Sequence, residues 1–224
     1  MIQTKSTLLG ADAPRVLTVP MIASVLADRR TVPARNTIFK WIREQVGSGA
    51  LRPVTRGLYI NQLASPRPSA AEAAAFVRAG AIVSLQTVLG EAGVTNNYAD
   101  LITCVVPQGP EQSPSVRPVR ANGIEYRFHA LPSRLLGSRA GQLEDRTDLD
   151  VQYPRATPEK ALVDWIYLGA SPRTKMSPPP PDIDLGLLDT DRLRRLAKAS
   201  GLQIKVEEYL SRVQRLERSA AEGH

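Results

Sequence analysis

Histidine is nearly absent from this 224-residue chain, which carries only His129 and His224, so a histidine-rich metal centre or a histidine-based catalytic triad has almost no material. His129 falls in the strand-like run 124–130, where a sheet residue is expected rather than a general base. The single cysteine, Cys104, excludes an internal disulfide and sits in the apolar run 101–106 as a buried strand residue. No apolar run approaches the roughly 20 residues that span a bilayer, and the N-terminus lacks the basic, apolar and small-residue succession of a secretory signal. The expectation is a cytoplasmic protein with no membrane partner. Gly47-Ser48-Gly49 lacks the third glycine of a dinucleotide loop and the Gly-Lys-Ser/Thr ending of a phosphate loop, and no repeat of fixed period occurs. No cofactor, metal site or catalytic residue is assigned. One acidic cluster, Glu144, Asp145, Asp148 and Asp150, together with Lys160, has the residue types of a metal-dependent nuclease, but its spacing matches no ligand template. Glu159 and Asp164, five apart, read as a first-turn dipole partner and a surface or hinge contact.

What the chain has instead is charge concentrated at one end. Residues 1–65 hold nine basic side chains (Lys5, Arg15, Arg29, Arg30, Arg35, Lys40, Arg43, Arg52 and Arg56) against three acids, so most of the formal net charge of +7 lies there. A small basic domain attached to a near-neutral remainder is the electrostatic footprint expected of a nucleic-acid binder, although basic amphipathic helices also occur as solvated faces. Within it, Ile38, Trp41, Ile42 and Val46 recur at three- and four-residue steps and leave Thr37, Lys40, Arg43 and Glu44 on the other side. Asn36 is the expected cap after Pro33, and Gly47 and Gly49 end the helix. Two short strands follow, 51–54 and 57–60, with Arg52 and Arg56 near the tip; an earlier helix, 19–26, starts behind the cap Thr18. This is the layout of a recognition helix plus wing. Arg35, Asn36, Thr37, Lys40 and Arg43 on the helix and Arg52 and Arg56 on the wing are the candidate DNA contacts.

The remainder is mixed. Pro66 to Pro68 punctuate the chain before an alanine-rich helical stretch at 70–78, a short helix at 84–91, and strand-like runs at 101–106, 116–119 and 124–130, with a further strand at 148–153. Thr157, Pro158 and Glu159 form a helix start, after which Ala161, Leu162, Trp165, Ile166 and Gly169 share a face. The proline run 177–181 reads as a stiff extended spacer rather than a partner motif. Helices at 191–199 and 203–216 flank Gly201, and the seam Leu202, Val206, Tyr209, Val213, Leu216 packs on the protein's own core or on a partner. Arg192, Arg194 and Arg195 are balanced by local acids. The expected class is α+β: an N-terminal winged helix-turn-helix domain (1–65), a mixed α/β domain (66–176), and a proline-rich spacer with a C-terminal helical hairpin (177–224).

Three features in this order resemble the antitoxin component of AbiE-type toxin–antitoxin systems: the hairpin closing with Arg56-Gly57-Leu58-Tyr59, the segment Ser84-Leu85-Gln86-Thr87-Val88-Leu89-Gly90, and Thr157-Pro158-Glu159-Lys160-Ala161-Leu162-Val163-Asp164. The last is the most particular to the group, and the proline run is a departure from it. The resemblance implies a winged helix that binds inverted repeats in its own promoter, with two copies or one on the DNA. It also implies a remainder that neutralises, directly or indirectly, a cognate nucleotidyltransferase toxin, with no enzymatic activity of its own. The alternatives are a stand-alone regulator whose middle domain senses a ligand or protein, and the nuclease reading of the acidic cluster.

Overall fold

The computed structural model describes residues 9–27, 33–96, 100–111, 113–136 and 152–222, and its class is α+β. The acidic cluster Glu144, Asp145, Asp148 and Asp150 lies outside the described residues, as do His224 and most of the strand expected at 148–153. The chain divides into two compact units, residues 1–79 with Val119–Ile124, and residues 80–118 with 125–224. The alanine-rich stretch thus groups with the first unit and the C-terminal helices with the second.

In the first unit, strand β1 (Val16–Thr18) leads into helix α1 (Val19–Leu26), then helix α2 (Arg35–Gly47) and the antiparallel strands β2 (Leu51–Thr55) and β3 (Leu58–Asn61), with β3 in the centre of the sheet. Thr18 caps α1 as expected, accepting the Met21 amide at 3.4 Å. Asn36 does not cap α2. The cap position is Ala34, which makes no side-chain bond, so Asn36 is free to present its amide from the first turn. The helix ends through Ser48, and Gly49 takes the left-handed conformation (φ 77°) that turns the chain into β2. Leu17, Ile22, Ile38, Trp41, Ile42 and Leu51 form one apolar cluster, which is why the three- and four-residue spacing on α2 was a sound guide. Arg15 closes the unit by donating two bonds to Glu72, at 2.6 and 2.9 Å, and Glu72 sits in the 3-10 turn Ala70–Ala73 ahead of α3 (Ala74–Val77).

The second unit is built on β4 (Ile82–Val83), β5 (Leu101–Gln108) and β7 (Ile124–Pro132); the short β6 (Val119–Ala121) between them in sequence belongs to the first unit. β4 pairs antiparallel and β7 parallel with β5. The strand expected at 116–119 therefore begins only at Val119. Cys104 is fully buried in β5, and His129 stands on β7 opposite Val105.

Against the sheet element β5 lies α4 (Gln86–Glu91), and its first turn is tied by hydroxyls rather than by a cap of its own. Thr103 Oγ1 accepts the Thr87 amide at 3.0 Å and donates to the Ser84 carbonyl at 2.7 Å; Thr87 Oγ1 in turn accepts the Thr103 amide at 2.7 Å. After the short helix α5 (Ser133–Leu136) comes α6 (Pro158–Ala170), with Thr157 at its cap accepting the Lys160 amide. α6 is buried on almost every side. Its Lys160 and Asp164 form an internal ion pair one turn apart, and Ser84 Oγ donates to the other oxygen of Asp164 at 3.0 Å. Glu159 is buried too, accepting the Asp189 amide at 2.9 Å and the Arg192 guanidinium at 3.4 Å, so it ties α6 to the start of α7 (Thr190–Ser200). Glu159 stands in the first turn as expected, whereas the surface or hinge contact expected of Asp164 is corrected; both carboxylates are buried because each finds donors there.

Helix α8 (Gln203–Glu222) follows Gly201, whose φ of 67° makes the helix–helix turn. Leu202, Val206, Tyr209 and Val213 are buried against the unit's own helices, while Leu216 is exposed. The proline run is not a free spacer. Trp165 Nε1 donates to the Ser177 carbonyl (2.9 Å), Arg212 Nη2 to Pro179 (2.9 Å) and Tyr209 Oη to Pro180 (2.6 Å). Gly169 permits the approach, since a Cβ there would lie 2.6 Å from Pro178 Cα.

Removing one partner of the buried pair leaves an uncompensated charge, so Asp164→Ala is expected to cost about 3–5 kcal/mol in urea denaturation. Gly169→Ala is expected to cost about 1–3 kcal/mol and to displace the proline run, detected as loss of protection of the Trp165 indole N–H in hydrogen exchange.

A candidate nucleic-acid interface

The first unit presents the basic helix face and the hairpin on either side of one groove of about 770 Å³. Its apolar lining includes Phe39 from α2, Pro53 from β2 and Tyr59 from β3, and its two cations are Arg35 and Arg56. These come together because α2 packs through Ile38, Trp41 and Ile42, which turns Arg35 and Phe39 toward the hairpin, while the Arg56-Gly57 turn brings Arg56 to the same rim. Gly57, at φ 79°, supplies the backbone conformation the turn requires. The Arg35 guanidinium lies over the Phe39 ring, 5.5 Å from its centre, so a flexible cation is held by a partly buried aromatic.

Asn36, Thr37, Lys40 and Arg43 are all exposed on α2, as their spacing required. Lys40 and Arg43 extend the positive charge along the helix, with Glu44 as the acid beside them. Arg52 is also exposed, but it stands within β2 opposite Ile60, away from the hairpin turn and outside the groove. Arg56 alone holds the tip position expected for both.

One contributor was not singled out in the sequence. Asn122, in a turn with Gly123 where both residues have positive φ (50° and 79°), lines the groove and donates through Nδ2 to the carbonyls of Pro53 and Val54, each at 3.2 Å. Those carbonyls lie where the β2–β3 register slips by one residue. Asn122 satisfies them and fixes the hairpin. The Asn-Gly pair signals a tight turn, yet nothing in local sequence says what that turn touches.

Other candidate chemistry is answered elsewhere in the fold. Burial in its sheet, and then the positive charge of Arg127, hold the His129 pKa below its ordinary value. Lys160 is bound to Asp164. No group of three or more metal-ligating side chains occurs among the described residues, and no helix there is long and apolar enough to cross a membrane.

Neither a family model nor a curated protein matches the chain. Among solved structures, the crystal structure of the Rv2827c protein from Mycobacterium tuberculosis aligns over 92% of this chain and 76% of its own, with 17% sequence identity and a TM-score of 0.47. At that distance the likeness bears on neither site nor activity.

Asn122→Ala leaves two bulge carbonyls without their donor. It is expected to destabilise the first unit by about 0.5–1.5 kcal/mol and to raise amide exchange in β3, as read by hydrogen-exchange mass spectrometry.

Proposed function

We propose that this chain is a winged-helix DNA-binding antitoxin that represses its own promoter and neutralises a cognate nucleotidyltransferase toxin, without catalytic activity of its own. The observation that carries the DNA-binding half is the groove edged by Arg35 and Arg56, continuous with the exposed donors of α2, on the part of the chain that holds nearly all the net positive charge. In this reading α2 enters the major groove. Asn36 and Thr37 reach base edges from its first turn, Lys40 and Arg43 meet phosphates, and Arg56 holds the flanking backbone from the wing. Arg52 contributes charge from the side of the wing rather than its tip.

The toxin-neutralising half rests on the resemblance to AbiE-type antitoxins through the 84–90 and 157–164 segments. Ser84 and Asp164, one from each, bond to one another inside the second unit. Those segments therefore serve this reading as a signature of a shared core, and the toxin-facing surface lies among other residues.

Binding of the purified protein to its own upstream DNA is expected to exceed binding to a scrambled duplex, and log affinity is expected to fall against log salt with a slope of about −4 to −5 if four to six phosphates are neutralised. Arg56→Ala should weaken binding to all sequences alike and lessen that slope by about one. Asn36→Ala or Thr37→Ala should instead change base preference in a binding selection, by about 1–3 kcal/mol at the bases contacted. Salt-insensitive binding, or an unchanged preference in both helix variants, would remove these assignments. For the second half, a nucleotidyltransferase gene is expected beside this one and co-expression with its product should restore growth; absence of such a gene, or failure to rescue, would leave a plain regulator.

A further inference from the structure

The second unit holds its proline run by reading backbone carbonyls. Four consecutive prolines fix an extended helix whose carbonyls have no internal partners and therefore face outward for others to bond. Here an indole, a phenol and a guanidinium supply donors to Ser177, Pro180 and Pro179 in turn. The Arg212 guanidinium also lies 5.4 Å from the centre of the Tyr209 ring, which holds the two donors together. Burial pushes the Tyr209 hydroxyl pKa far up, so it stays a donor at any physiological pH. Gly169 leaves the strap room to lie against α6. Beside the strap the groove continues into a cavity of about 250 Å³, where Ile166 and Ala170 give apolar surface and Lys205, Arg212 and Arg215 give positive charge beside one acid, Glu208.

Aromatic donors spaced along a groove, aimed at successive carbonyls of an extended proline segment, make up a polyproline-recognition surface. The strap that fills it contributes no strand or helix ladder, and Ser177 and Pro178 remain exposed on its outer side. Its release breaks three side-chain hydrogen bonds and uncovers Pro179, which is buried. Its own sequence ends in an acid, Asp182, opposite in charge to Lys205, Arg212 and Arg215, which outnumber the one acid of that lining, Glu208. We propose that the groove formed by Trp165, Gly169, Tyr209 and Arg212 is a binding site for proline-rich segments followed by an acidic residue, occupied in this chain by residues 177–181 and open to such a segment of a partner protein in exchange.

The test is titration of a synthetic peptide of residues 175–182 (Lys-Met-Ser-Pro-Pro-Pro-Pro-Asp) into the full chain carrying Pro178→Ser, Pro179→Ser and Pro180→Ser, and into the wild type, following the Trp165 indole N–H resonance. A saturable shift is expected in the strap variant. In the wild type the tethered strap competes at an effective concentration on the order of millimolar, so half-saturation should need about tenfold more peptide or beyond. Adding Tyr209→Phe or Arg212→Gln to the strap variant should weaken binding several-fold, and a peptide with alanine in place of each proline should leave the resonance unmoved. No shift in either chain, or an equal shift with the alanine peptide, would overturn the assignment. If the strap variant does not fold, the wild-type titration decides alone on the same criteria. A concentration-dependent wild-type dimer that the peptide dissociates would give the groove to a second copy and overturn its assignment to a different partner.

Discussion

The second unit is organised around one buried charge. Asp164 receives Lys160 from its own helix and Ser84 from a segment 80 residues earlier in the chain, and Ser84 in turn offers its carbonyl to Thr103 on the central strand. A buried carboxylate is tolerated only when its partners are in place, so these bonds fix the mutual position of helix, turn and sheet together. Glu159 repeats the device at the other end of the same turn. It accepts the backbone amide that begins α7 and the Arg192 side chain, and so sets where the C-terminal helices start.

Much of the architecture was legible because it follows from local periodicity and local turn chemistry. The buried face of α2, the Thr18 and Thr157 caps, the glycine-ended helix before β2, the buried Cys104 and the Gly201 turn all depend on residues within a few positions of one another. The buried seam of α8 was also legible, up to Leu216, which lies beyond the packing surface.

What spacing did not reveal depends on partners distant in sequence. Asp164 read as a surface or hinge contact because an isolated carboxylate belongs in water; only the folded chain shows that the Ser84 hydroxyl awaits it, and that Glu159, rightly placed in the first turn, accepts the Asp189 amide. The Lys160–Asp164 spacing of four was visible, yet a pair at that spacing is normally a solvated one, and nothing local distinguishes a buried example. The proline run was read as a stiff extended spacer; that helices on both sides of it supply donors to its carbonyls was not legible, since those donors are distant in sequence. At the candidate interface, side-chain exposure on α2 was legible. The meeting of Arg35 with Arg56, and the displacement of Arg52 from the hairpin tip, needed the actual strand register.

The Asn122 contact has a consequence for how the molecule is made. The hairpin that Asn122 fastens is complete by residue 61, but its fastener is translated some sixty residues later, after much of the second unit's sheet has been synthesised. Until then the Pro53 and Val54 carbonyls lack the Asn122 donor. The first unit reaches its final form only after chain belonging to the other unit has left the ribosome. A gene fragment cut at the apparent end of the N-terminal unit would encode a protein arrested at that earlier stage, with every residue of α2 and the hairpin present and the last tie missing.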